Sequence, residues 1–196
     1  MDPADMSRIL IAFASSHGQT QKIAEAIARE LRRSGHVVEL ANALEGTPPP
    51  VQDYDAVILG SRVHFGTHAR PIVSYIAENR AALEEIPSYF FSCSMSTVGT
   101  HAHDPEGVLS RLFMITRWQP REALAFSGSL PYRQYGPVLR MAMKLVSKHN
   151  GHATDTSRDH EYTDWSQVRR FATRVATDLM TPRFFPVYPV RPDAKA

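Results

Sequence analysis

A chain of 196 residues is long enough for one domain with a substantial core and short for two. Its 22 Lys and Arg against 20 Asp and Glu give no bulk charge to recruit nucleic acid, so any basic partner surface has to be local. A single cysteine, Cys93, excludes an internal disulfide framework and a clustered-thiol metal site and suits a reducing cytoplasm. No apolar run approaches the length of a membrane span, and Met1 to Ser7 lacks the basic and apolar regions of a signal peptide. The expected location is the cytoplasm, with peripheral contact at the inner face of the cell membrane left open.

After a leader over residues 1–7, Arg8 to Phe13 reads as a continuous apolar strand of the kind buried on both faces. The polar stretch Ser15-Ser16-His17-Gly18-Gln19-Thr20 separates it from a helix running to about Arg33. Ile23, Ile27 and Leu31 form that helix's buried stripe, with Ala24 and Ala28 in support. Strand, tight polar loop and helix together make an anion site, because the unpaired N–H groups of the first helical turn face the loop hydroxyls. No Lys or Arg lies in the loop, so neutral donors do the holding. Neither the Gly-Lys-Ser/Thr ending of an NTPase loop nor Gly-x-Gly-x-x-Gly is present, which favours a monophosphate ester.

A second strand is expected at His36 to Leu40, and Thr47-Pro48-Pro49-Pro50 makes the next crossover short or irregular. Asp55 to Gly60 is a third apolar strand, followed by a loop from Ser61 to His68 and a helix over Pro71 to Glu85. Ser88 to Ser94 is strand four, Pro105 to Trp118 a helix, and Glu122 to Ser127 strand five. This alternation calls for a parallel sheet with helices on both faces and right-handed crossovers. Ligands of such sheets sit beyond the carboxyl ends of the strands, which singles out the loops at Ser15 to Thr20, Ser61 to His68 and Ser92 to Gly99.

The pattern changes after Leu130. Pro131 to Pro137 is aromatic, basic and turn-rich, and a helical run from Val138 to Lys148 carries Arg140, Lys144 and Lys148 on one face of a mostly apolar circumference. It reads as packed scaffold, as an interfacial helix on anionic lipid, or as a lid over an apolar ligand. Gly151 to Glu161 is a polar loop. Asp164-x-x-Gln167 opens a last helix that ends near Met180, and 181–196 is a Pro-rich tail.

The three loops resemble those of flavodoxin-like FMN proteins, in which a Thr-x-Thr-Gly-x-Thr loop holds the FMN phosphate. The match stands at Ser15, Gly18 and Thr20 and departs at His17, which either donates a neutral hydrogen bond to phosphate or points into solvent. The resemblance implies a doubly wound α/β fold with a five-stranded parallel sheet of order 2-1-3-4-5 over residues 8–180, and an added helical insertion at about 131–150. It implies that FMN is held by Ser15, Ser16, His17, Gly18, Gln19 and Thr20, by Arg62, Val63, His64, Phe65 and Gly66, and by Ser92, Cys93, Ser94 and Met95.

The sequence is closer still to one branch, the menaquinone-dependent protoporphyrinogen IX dehydrogenases. Asn42, Asp53-Tyr54-Asp55, Gly60, Gly66, Trp118 with Pro120, and above all Thr154-Asp155-Thr156 with Glu161-Tyr162-Thr163-Asp164-Trp165 are similar to that branch. So is the insertion from Tyr132 into the Met-rich helix. His17 stands where the branch tends to have an acid, and Thr97 to Pro105 is poor in basic residues. The resemblance implies oxidation of a porphyrinogen through FMN with a quinone as acceptor, and makes Arg133 and Arg140, with Arg62, candidates for the carboxylates of a tetrapyrrole. Alternatives are an electron carrier, another FMN-dependent quinone reductase, or a non-catalytic module that has lost FMN.

Other features have plainer readings. A receiver domain needs acids after strand one and an Asp ending strand three, but Asp55 begins that strand and Gly60 ends it. His101, His103 and Asp104, with His64 and His68, read as solvated residues, so no metal is expected. Cys93 reads as a small core thiol whose loop nonetheless lies near the flavin. No residue stands out as a catalytic acid or base.

Overall fold

Two strands buried on both faces set the middle of the molecule. In the computed structural model, which describes residues 6–64, 66–94, 105–130, 141, 147, 155–157 and 160–181, β1 (Arg8–Ala14) is buried from Ile9 onward. β2 (Val37–Asn42) flanks it on one side and β3 (Ala56–His64) on the other. A hairpin arm, β4 (Thr67–His68), folds back on β3. Next come the fully buried β5 (Ser88–Ser94) and β6 (Glu122–Ser127). The order β2-β1-β3-β5-β6, parallel throughout, is the expected 2-1-3-4-5 arrangement of long strands.

Because side chains alternate along a strand, each central strand feeds two cores. Ile9, Ile11, Phe13, Ile58, Tyr89 and Phe91 meet α1 (Gln19–Arg33) and α5 (Trp165–Met180) on one face. Leu10, Ala12, Val57, Leu59 and Phe90 meet α2 (Arg70–Glu78), α3 (Arg80–Glu85) and α4 (Pro105–Thr116) on the other. Each fully buried large apolar side chain contributes about 1.5–3 kcal/mol. The central strands carry the sheet, and the half-exposed edge strand β2 adds less. Gly60 is fixed by this packing: it pairs in register with Phe91, and a Cβ there would stand 2.2 Å from the Phe91 ring.

Several expected boundaries move. The loop at Ser61 to His68 is mostly strand, since β3 runs on to His64 and turns back through Gly66 at φ 70°, a conformation that favours glycine. The helix expected over Pro71 to Glu85 breaks at Asn79, whose side chain donates to the Tyr75 carbonyl and competes with the helical ladder. α4 stops at Thr116 because Arg117 takes a left-handed φ of 54°, after which Trp118 packs fully buried with its Nε1 donating to Ser88 Oγ.

Ser7, assigned to the leader, joins the sheet by accepting from the Val37 N–H at 3.0 Å. Part of the loop at Gly151 to Glu161 is strand: β8 (His160–Glu161) pairs antiparallel with β7 (Ser129–Leu130). Of the insertion over 131–150 only Met141 and Ser147 fall among the described residues, and of the tail over 181–196 only Thr181.

Candidate functional site

The carboxyl ends of β1, β3 and β5 lie side by side, with Ala14 in register with Ser61, and Ser61 with Ser92. The first loop leaves β1 at Ser15 and enters α1 through Gly18, whose φ of 84° an L side chain rarely adopts. No side chain caps α1, so the N–H groups of Gln19, Thr20 and Gln21 have no intrahelical acceptor. No atom approaches within 4 Å of the place where a Gly18 side chain would begin, so open space faces the turn. Ser15 is only 8 % exposed, yet its Oγ has no hydrogen-bond partner. An orphaned hydroxyl is costly in a folded protein, and here it stands where an anion would meet the helix N-terminus.

Asn42, at the end of β2, holds this loop. Its Oδ1 accepts from the Ser15 N–H and its Nδ2 donates to the Ser15 carbonyl, both at 3.3 Å, and Nδ2 also donates to Glu45. The buried side chain of Gln19 donates to Thr163 Oγ1 at 2.8 Å, and Thr163 in turn donates to the Ser127 carbonyl. Gln19 therefore offers a ligand its backbone rather than its amide. Thr20 is 3 % exposed and its hydroxyl bonds to the thiol of Cys93. Ser16 and His17 are exposed, with Ser16 Oγ 3.1 Å from His17 Nδ1.

The second element is the β3–β4 hairpin. Ser61 is fully buried; its Oγ accepts from the Ala69 N–H and donates to the Arg62 carbonyl, which fixes the hairpin base. Arg62 is half-buried, and its Nε is shielded from solvent without a partner. Val63 pairs with His68, while His64 is exposed and its ring stacks on His17 with centroids 6.2 Å apart. His68 Nε2 is also buried without a partner; its ring meets Phe90 edge-on, and burial pushes its pKa down to about 4. The first and second loops are thus brought together, as the sequence leads one to expect.

The third loop is less complete. Ser92, Cys93 and Ser94 are all buried in β5. The strand alternation turns Cys93 into the core beside α1, and burial pushes its thiol up to about 12, which leaves it a poor nucleophile. Phe65, Met95, Arg133 and Arg140 lie outside the described residues, as do His101, His103 and Asp104. Among the described residues no group of three or more His, Cys, Asp or Glu is placed to hold a metal ion, and no helix is long and apolar enough to cross a membrane.

Sequence reasoning missed the bracing role of Asn42 and Thr163. Both belong to blocks that stood out by resemblance, but only the fold shows that they close on the first loop from opposite sides.

The Flavodoxin domain model matches residues 10–157. Protoporphyrinogen IX dehydrogenase [quinone] of Escherichia coli (strain K12) is 29% identical over 171 residues, covering 86% of this chain and 94% of that protein. The protein of the same name from Leishmania major is 28% identical over 172 residues, covering 86% of this chain and 74% of its own. Among solved structures, the flavodoxin of Streptococcus pneumonia TIGR4 superposes with a TM-score of 0.53 at 17% identity, over 87% of this chain and 99% of that one.

Proposed function

The chain belongs to the flavodoxin family, and from that premise we propose that it binds FMN and dehydrogenates a protoporphyrinogen-type substrate, with a quinone of the menaquinone class as acceptor. The observation that carries the reading is the extent of the likeness to the E. coli dehydrogenase, which covers more of the chain than the flavodoxin match does. The fold adds a compatible site. Ser15 Oγ and Arg62 Nε are polar atoms withheld from water without a partner, and they lie at the carboxyl edge of the sheet where the phosphate and ring of a flavin would supply one.

In this reading Ser15, the turn at Gly18 and the free N–H groups opening α1 hold the phosphate, while Asn42 fixes the backbone of Ser15. Arg62 to Gly66 border the ring on one side, and Ser92, Ser94 and Met95 on the other. Arg62, Arg133 and Arg140 pair with the substrate's carboxylates, and Val138 to Lys148 contacts the membrane that holds the quinone. Bound FMN would supply two-electron acceptance from the porphyrinogen and donation to the quinone, so that three quinones take the six electrons and six protons lost by one substrate. The protein's part is to orient the two substrates and exclude water, which explains why the sequence shows no acid or base pair.

The test is porphyrin fluorescence under nitrogen with FMN-loaded protein, protoporphyrinogen and a menaquinone analogue. Fluorescence should rise only when protein, FMN and quinone are all present. A protein that retains FMN yet forms porphyrin no faster than the protein-free control would be an electron carrier or a reductase of another substrate.

A further inference from the structure

The first loop and the β3–β4 hairpin meet through two imidazoles. His17 and His64 stack with their rings 7° from parallel, and Ser16 Oγ lies 3.1 Å from His17 Nδ1. His17 directly precedes Gly18, whose open side faces no protein atom within 4 Å. The orphaned Ser15 Oγ completes the same turn. The hydroxyls and backbone N–H groups this loop offers an anion are neutral, whereas a phosphate monoester carries a charge of about −1.5 to −2 near pH 7. The hairpin brings the Arg62 charge to His64, and the histidine pair can itself gain a proton.

We propose that His17 and His64 form a proton-accepting clamp for the flavin phosphate, so that the chain selects FMN over riboflavin by taking up a proton as the phosphate binds. This rests on the FMN reading above and names the residues that set its phosphate specificity. In the free protein His64 resists protonation: it is held below its ordinary pKa by partial burial, by the Arg62 charge and by His17. Two cationic rings at this separation would repel one another. A phosphate dianion beside them reverses the balance and draws a proton onto the pair.

The groups that bear on His64 are Arg62 on its own strand and His17 from the first loop. His68, on the facing arm, pairs in register with Val63 and so points to the opposite face of the hairpin. Lys22, on the first turns of α1, is engaged with Glu161 at 3.7 Å.

Proton linkage makes the proposal measurable, because a group that gains a proton on binding strengthens that binding as pH falls. FMN and riboflavin are titrated into the full-length protein and followed by flavin fluorescence between about pH 8.5 and about pH 6.5, a range above the second ionisation of the phosphate at about 6. FMN affinity should rise about tenfold across this range, and riboflavin affinity should stay level. His17→Thr, which restores the family's hydroxyl, and His64→Gln should each bind FMN with the pH response largely removed. Both side chains are exposed, so an unchanged urea-unfolding midpoint in each variant reports an intact fold. An undiminished FMN response in both variants, or an equal response with riboflavin, overturns the clamp while leaving FMN binding in place. Absence of FMN binding at every pH overturns both readings.

Discussion

At the residue scale, polar atoms that have lost water without gaining a partner mark the site better than exposed ones do. Of the four such atoms among the described residues, Ser15 Oγ, Arg62 Nε and His68 Nε2 sit on the first loop or the second hairpin, while His36 Nε2 lies just before β2 at the other end of the sheet. His68 also has a consequence for the fold. Its pKa is pushed down to about 4 by burial, so the unfolded chain, with an ordinary histidine near 6.5, binds the proton more tightly than the folded one. Stability is therefore full above about pH 6.5 and falls as pH drops toward 4, by about 3 kcal/mol for this one group. His36, buried and likewise lowered, acts in the same direction. Urea unfolding of the flavin-free protein between these limits should show the decline, and His68→Gln should flatten it. An equally steep acid loss in that variant would assign the effect to other groups.

At the element scale, the block from His160 to Trp165 ties the last helix to the first loop. β8 pairs with β7, Thr163 receives the Gln19 amide, and Asp164 caps α5 by accepting from the N–H groups of Ser166 at 2.8 Å and Gln167 at 3.2 Å. The Ser166 hydroxyl, which also donates to Asp164, and those backbone bonds, with Arg170 nearby, hold the Asp164 carboxyl below its usual range. Removing the cap in Asp164→Ala should lower the unfolding midpoint. Chemical denaturation measures it directly, and an unchanged midpoint would deny the cap any energetic role.

The same block shows where reading from sequence stops. Continuous apolar runs such as Ile9 to Phe13 identify buried parallel strands because both faces are covered. The cap at Asp164 is equally legible, because capping acts between neighbours. The Gln19–Thr163 bond is not, since its partners lie 144 residues apart. The hairpin at Gly66 hides for another reason: Arg62-Val63-His64 carries no apolar alternation, and only the register with Thr67 and His68 makes it a strand. Cys93 goes inward through the phase of β5, which composition does not reveal.

At the scale of the whole molecule, a parallel sheet gathers the ends of β1, β3 and β5 into one edge, and residues far apart in sequence become one site there. β2 contributes by sending Asn42 to brace the first loop, and the segment between β8 and α5 closes the other side through Thr163. The general flavodoxin scaffold accounts for this edge. The parts that would distinguish a porphyrinogen dehydrogenase from an electron carrier are the insertion over 131–150 and the block that follows it.

The most direct measurement mixes FMN-loaded protein with protoporphyrinogen in the absence of oxygen and follows the visible flavin band. The band should bleach on mixing and return when a menaquinone analogue is added. A flavin band that stays oxidised in the presence of excess protoporphyrinogen would contradict the proposed reaction.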